Sequence, residues 1–274
     1  MLQQKSDTDP GIDLRGEAAG HDGKAPQPPF MPKPGPTKQD AGNAEFDRLY
    51  AKGSSRLANE GLIGVRYRLP KAVAMLTDRY KDAGPLSVLE IGAGIGEVAR
   101  LIRRSGLQVK RYVGIEYSYH AARRMRQRGF TACQMNAERL AFADSSFDLV
   151  FCFDVMHHVN SPAAMAHEIV RVTRKHFLLS EPNHLSFVRR LGEIHPGARA
   201  RGERSFTPAE YRSFFPADRV SPIDIEPFYV LVPPKTPKML IPYVIKVSET
   251  GQKIPGVRWI GQSLLIAGKK KGAS

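Results

Sequence analysis

The apolar residues of this chain change their spacing along its length, and the changes mark out its elements. Short apolar runs at 86–91, 111–116, 130–134, 147–153 and 176–181 read as strands. Between them, 97–105, 118–128 and 161–173 repeat apolar positions at helical spacing. Leu149-Val150-Phe151-Cys152-Phe153 is apolar throughout, which suits a strand covered on both faces. Ser161-Pro162 opens its helix with a capping side chain and a proline at the first helical position. Regular alternation of strand and helix demands parallel strands joined by right-handed crossovers, which is an α/β doubly wound architecture.

The pattern differs on either side of this block. Residues 44–83 read as two or three amphipathic helical segments, carried by Leu49, Leu57 and Leu62 and then by Val73, Met75, Leu76 and Tyr80, with Pro70 in the first turn of the last one. Past Glu181-Pro182 the pattern loosens. Thr207-Pro208-Ala209-Glu210-Tyr211-Arg212 reads as a capped helix, 224–232 as a sixth strand and 261–268 as a seventh. Between these two strands lies an insertion, 233–260. Its apolar stretch, Met239 to Ile245, has three readings: packing on the core, which is favoured, capping a substrate, or touching a membrane surface. Residues 1–43, rich in Pro, Gly, Gln and Asp, read as a disordered tail with no part in the chemistry. The division expected is therefore a tail, 1–43, and one domain, 44–274, made of a helical lid (44–84), a cofactor-binding core (85–182) and a substrate region with the closing strands (183–274).

Charge sharpens this picture. The 274 residues carry a formal net charge of +14, yet residues 1–43 hold five Lys/Arg and six Asp/Glu, so the remainder carries +15. Arginines cluster at Arg100, Arg103 and Arg104, at Arg123, Arg124, Arg126 and Arg128, and at Arg189, Arg190, Arg199, Arg201 and Arg204. The first two clusters fall on helices flanking the sheet and read as solvated faces. The third lies where substrates would enter, and a positive field there favours an anionic acceptor, a nucleic acid or a lipid surface. The chain has no apolar run of roughly eighteen residues, and hence no transmembrane helix is expected. The first residues lack the apolar stretch of a secretory signal. The two cysteines, Cys133 and Cys152, read as buried thiols, consistent with a cytoplasmic protein.

The candidate chemistry centres on Val88-Leu89-Glu90-Ile91-Gly92-Ala93-Gly94-Ile95-Gly96, a buried strand running into a glycine turn and then a helix. Such a turn lets backbone N–H groups approach a nucleotide cofactor. Glu116 ends the next strand, placed to accept hydrogen bonds from a ribose diol. The glycines follow G-x-G-x-G, which departs from the dinucleotide pattern G-x-G-x-x-G and argues against a dehydrogenase. With Glu90 two residues before the first glycine, Asn136-Ala137-Glu138 and Ser146-Phe147-Asp148-Leu149-Val150, the chain resembles the small-molecule branch of the class I S-adenosylmethionine-dependent methyltransferases. The resemblance covers about 85–182 and resumes weakly at 261–269.

It implies a Rossmann-like seven-stranded sheet whose last strand is antiparallel, and S-adenosyl-L-methionine as cofactor. Gly92, Gly94 and Gly96 would form the cofactor loop, the first two lying under its methionine part, and Glu90 would anchor that loop and face the cofactor's amino group. Glu116 would hold the ribose hydroxyls, and Tyr117 would flank the adenine. Asn136 and Ala137 would meet the adenine edge, and Asp154 would sit near the methionine moiety. Asp154 equally suits a helix N-cap. Similar enzymes lid the pocket with N-terminal helices, which makes Tyr50 and Arg66 lid contacts.

Methyl transfer is an in-line displacement, so the protein's task is to place a nucleophile and exclude water. A weakly acidic hydroxyl acceptor also needs a base, for which His157 and His158, just past the fourth strand, are the candidates. One of the two is expected to pack the following helix instead. Glu181, His184 and His195 lie near the expected substrate mouth, and Asn183 there could orient a polar group. No metal is expected, since the histidines lack a ligand spacing. The function implied is methylation of a small-molecule acceptor at O, N or C. The alternatives are a tRNA or rRNA methyltransferase, suggested by charge, and a catalytically inactive methyltransferase-like binding protein. After the fourth strand the chain reads Asp154-Val155-Met156-His157 rather than N-P-P-Y or D-P-P-Y, which disfavours base amino methylation. Deleting residues 1–43 is expected to leave the melting temperature and cofactor affinity unchanged; a large fall in melting temperature would make the tail part of the fold.

Overall fold

Strand β1 (Leu86–Ile91) and strand β4 (Phe147–Phe153) are buried at every position, and they form the centre of the sheet. The computed structural model describes residues 44, 47–52, 67–194, 204–229 and 237–272. All of these fall within one compact unit, 36–274. The expected disordered tail, and the expectations for Leu57, Leu62, Arg66, His195, Arg199 and Arg201, lie outside the described residues.

In chain order the elements are α1 (Leu69–Tyr80), β1, α2 (Glu97–Ile102), β2 (Val109–Glu116), α3 (Tyr119–Gln127), β3 (Ala132–Gln134), β4, α4 (Pro162–Val172), β5 (Thr173–Pro182), α5 (Phe187–Ile194), α6 (Pro208–Phe214), β6 (Asp224–Tyr229), α7 (Ile241–Gln252) and β7 (Ser263–Lys269). A further short helical segment spans 47–51. The seven strands lie in the order β3-β2-β1-β4-β5-β7-β6. β1 to β5 are mutually parallel, and β7 runs antiparallel between β5 and β6. The order reverses between β1 and β4, and such a switch point opens a crevice at the carboxyl ends of the strands.

Each face of the sheet has its own core. One gathers Leu89, Ile91, Val150 and Phe177 with Met165 and Ile169 of α4 and Tyr211 of α6. The other gathers Val88, Leu149, Phe151 and Leu178 with Leu69, Val73 and Leu76 of α1, Val98 of α2, and Ile241 and Val244 of α7. The helix starts follow the capping residues. Ser118 accepts from the Ala121 N–H at 3.1 Å and Ser161 from that of Ala164 at 3.2 Å. Thr207 and Glu210 form a reciprocal capping box. α2 ends at Ile102, shorter than the pattern suggested, because the Ser105 hydroxyl turns back onto the Ile102 carbonyl at 2.9 Å and closes the chain. β5 starts at Thr173, earlier than expected, because pairing with both β4 and β7 keeps residues 173–182 extended.

The β5–β7 seam depends on a missing side chain. A Cβ on Gly268 would lie 2.1 Å from Cζ of Phe177, its partner across the strands. The Phe177 ring is itself pinned by stacking on Phe215, with centroids 4.8 Å apart. Gly268→Ala is therefore expected to lower stability by about 1–3 kcal/mol, read as a lower denaturant midpoint; an unchanged midpoint would mean that the seam can repack.

Candidate active site

The glycine loop folds back over the end of β2. The Gly92 and Ala93 N–H groups both donate to the Ile115 carbonyl, at 2.8 and 2.9 Å. Gly92 has φ +72°, and a Cβ there would lie 2.3 Å from a methyl of Val155, so only glycine fits. The Gly94 N–H donates to Glu116 Oε2 at 2.8 Å, which ties the loop to the last residue of β2. Gly96 has a different place from the other two. It sits at the N-cap of α2 in the left-handed conformation, facing Met125 and Phe130, and is not part of the cavity wall. The loop's third glycine thus shapes the strand-to-helix turn.

The cavity above this loop measures about 1340 Å³, open mouth included. It is walled by the ends of β1, β2 and β4, and Glu90, Gly92, Gly94, Glu116, Tyr117, Asn136, Ala137 and Asp154 all line it. Tyr50 lines it too, at the place expected of a lid residue. The segment that carries Tyr50 is held by the Ser118 hydroxyl, which donates to Asp47 at 2.5 Å. Asn136 uses its side-chain oxygen locally, accepting from the Glu138 N–H at 2.8 Å.

Three acidic side chains, Glu90, Glu116 and Asp154, form the floor. Glu116 ends β2. Glu90 is 2 % exposed and accepts from the Tyr112 hydroxyl. Burial, with a smaller contribution from the charge of Glu116, pushes the Glu90 carboxyl up to about 8, against the opposing hydrogen bond from Tyr112. Asp154 immediately follows β4 with φ +58°, a conformation rare outside glycine. Its N–H donates to the Ser180 carbonyl at 2.8 Å and its carboxylate pairs with Arg68. The one-turn helix that follows, Met156–His158, has Val155 at its N-cap, so Asp154 is a cavity residue and not a cap. Among the described residues that line the cavity, five are acidic and one, Arg68, carries a guanidinium. Arg68 has no mark along the chain, because nothing in its neighbourhood announces a partner 86 residues away.

The two histidines part company here. His157 is 1 % exposed, its Nδ1 lies 2.8 Å from Glu181 Oε2, and it does not line the cavity. His158 does line it. Glu181 is fully buried and accepts from the backbone N–H groups of Val155 and Met156, each at 2.9 Å. It therefore holds the turn in place and does not face a substrate mouth. Asn183 is likewise buried, its amide donating to the Trp259 and Gly261 carbonyls at 2.8 and 2.7 Å. His184 meets the Ser205 hydroxyl at 3.3 Å.

Comparison with known proteins agrees with this geometry. The methyltransferase-domain family model matches residues 89–179, the stretch from β1 to β5 that builds the cavity. By this match residues 89–179 are a methyltransferase domain. An uncharacterized methyltransferase of Mycolicibacterium gilvum is 32% identical over 111 residues, which is 37% of this chain and 42% of that protein. One from a Mycobacterium species, strain JLS, is 34% identical over 109 residues, again 37% and 42%. The chain thus spans about two fifths of the length of the curated relatives it matches. Among solved structures, an S-adenosylmethionine-dependent methyltransferase from Thermotoga maritima superposes with a TM-score of 0.59 at 19% identity, covering 82% of this chain and 98% of that one. Magnesium protoporphyrin IX methyltransferase from Synechocystis, solved with S-adenosylmethionine bound, gives 0.51 at 12% identity, covering 86% and 98%. At these identities the structures speak for the fold.

The raised Glu90 carboxyl gives this methyltransferase domain a pH signature. A carboxyl that keeps its proton in the folded state stabilises the fold fully below the usual carboxylate range and loses that contribution as pH rises through about 8. The melting temperature of the cofactor-free protein is expected to fall across that window and to stay flat in Glu90→Gln. Equal slopes in the two proteins would show that Glu90 ionises normally.

Proposed function

We propose that the chain binds S-adenosyl-L-methionine in this cavity and transfers its methyl group to a small-molecule acceptor at O, N or C. The observation that carries the reading is the acidic floor: Glu90, Glu116 and Asp154 converge on the glycine loop of a body whose overall charge is strongly positive. A cofactor with a sulfonium and an ammonium group fits such a floor, whereas the diphosphate of a dinucleotide would face the carboxylates of Glu116 and Asp154 with the Glu90 carboxyl beside them.

The cofactor supplies a methyl group already electrophilic on its sulfonium, and the rest falls to the chain. Glu116 would hold the ribose hydroxyls, Glu90 and Asp154 would face the cationic methionine end, and Gly92 and Gly94 would lie beneath it. Tyr117, Asn136 and Ala137 would bound the adenine. The lid segment with Tyr50 excludes water, which lets the acceptor be held in line with the methyl group. Where the acceptor needs a base, His158 takes that place because it lines the cavity, while His157 positions the turn through Glu181.

A nucleic-acid acceptor is the second reading, and it draws on the basic body. The arginines at 100, 103, 104 and 128, however, line a separate depression that shares only Glu97 with the cavity. This arrangement favours a small acceptor. Both cysteines are free thiols, in keeping with a cytoplasmic protein.

Titration calorimetry with S-adenosylhomocysteine, with NADH as control, tests the cofactor. Micromolar affinity for the first alone, about −8 kcal/mol, is expected, and an acceptor screen then follows. Binding of neither ligand, or of NADH, would sink the reading. Glu116→Ala is expected to weaken S-adenosylhomocysteine binding by about 2–3 kcal/mol, because a charge-assisted bidentate contact is lost; unchanged affinity would remove the ribose role.

A further inference from the structure

Two helices on the C-terminal side of the chain expose their apolar stripes. On α5, Phe187, Leu191 and Ile194 recur at helical spacing and all three are exposed, Phe187 by 70%. A surface helix ordinarily turns such a stripe inward. α7 is apolar on two faces. Ile241 and Val244 pack inward on the core and Ser248 is buried. Outward, Tyr243 and Val247, and Met239 two residues before the helix, are each four residues from the next and 70%, 64% and 78% exposed. Ile254, Val257 and Ile260 continue the exposed apolar surface beyond α7. Asn183 joins the two regions: its amide holds the Trp259 and Gly261 carbonyls, two residues before exposed Leu185 and four before Phe187.

The charges around this surface point to one occupant. Arg190, Lys246, Lys253 and Arg258 are exposed beside the apolar residues. The two nearby acids are engaged within the protein, Glu193 with Arg189 at 3.1 Å and Glu249 with the Tyr67 hydroxyl at 3.4 Å. An exposed apolar stripe that includes Tyr243, flanked by lysine and arginine, is the composition of a helix lying in a bilayer interface. A second copy of the chain fits less well, because a two-fold interface would bring these cations against each other. No helix among the described residues is long and apolar enough to cross a membrane, so contact of this kind would be peripheral. α7 is also tied to α1, since Lys71 of α1 donates to Gln252 at 2.5 Å, and Arg68, just before α1, lines the cavity and pairs with Asp154.

We infer that α5, α7 and the 254–260 segment form a docking surface for anionic lipid bilayers, with the mouth of the cavity held close to that surface. The surface stands independently of the cofactor reading.

Sedimentation of the full chain with vesicles tests it, using phosphatidylcholine alone and an equimolar mixture with phosphatidylglycerol. The expected result is binding to the mixed vesicles, weakened by salt, and little to the neutral ones. Two double variants, Tyr243→Asp with Val247→Asp and Phe187→Asp with Leu191→Asp, are each expected to lose affinity on the order of tenfold or more, with S-adenosylhomocysteine affinity unchanged as the check on folding. Failure to bind the mixed vesicles would overturn the inference, as would binding that both variants leave intact. A wild-type dimer that Val247→Asp splits into monomers, seen by light scattering, would assign the surface to a second copy instead. Loss of S-adenosylhomocysteine binding in the wild-type protein would overturn the cofactor reading and leave the vesicle result standing.

Discussion

The buried carboxylate of Glu181 holds the site together. A carboxylate with no exposure must be satisfied by donors, since leaving it bare would cost several kcal/mol or more. Here the Val155 and Met156 N–H groups and the His157 ring supply them. Those contacts fix the turn after β4. The turn in turn sets Asp154 in its left-handed conformation, directs His158 into the cavity and presses Val155 against Gly92. The glycine loop is then held from its other side by Glu116 through the Gly94 N–H. One buried acid on β5 thereby orders residues on β4, and through Val155 the loop after β1.

The distribution of charge follows a similar logic of separation. The body of the protein is strongly basic, yet the cavity floor is acidic, and the acids come from the ends of three different strands. Parallel strands deliver their carboxyl ends to one edge, so a single acid at each end suffices to gather three acidic side chains at one site. Burial then divides the roles: Glu90 holds its proton up to about 8 beneath Tyr112, while Asp154 is kept next to the Arg68 guanidinium.

Much of this was legible in the residues. The strand and helix alternation between 86 and 182 appears in the structure nearly as the apolar spacing implied, because fully buried strands and one-sided helices write their periods directly into the chain. The residues expected around the cofactor do gather on one cavity, apart from Gly96. Other assignments could not be made from the chain. Glu181 and Asn183 looked like residues at a substrate mouth, but both are buried structural partners, and a polar residue just past a strand reads the same in either case. Likewise the apolar insertion was expected to pack on the core. Its inner face does, while its outer face does not, and the run from Met239 to Ile245, apolar at every position, gives no period from which to tell them apart.

The sequence by itself determined the α/β alternation, the glycine turn after β1 and the acids at the strand ends, because these depend on local period, on φ values that only glycine adopts freely and on position along a strand. Tertiary structure alone decided which of two adjacent histidines faces the cavity, that Arg68 meets Asp154, that Asp154 is no helix cap, and which apolar side chains stay uncovered. Each of these depends on groups brought together across 24 to 86 residues of chain or more. Such contacts leave no spacing in a single sequence, since the geometry that pairs them is made only when the sheet is assembled.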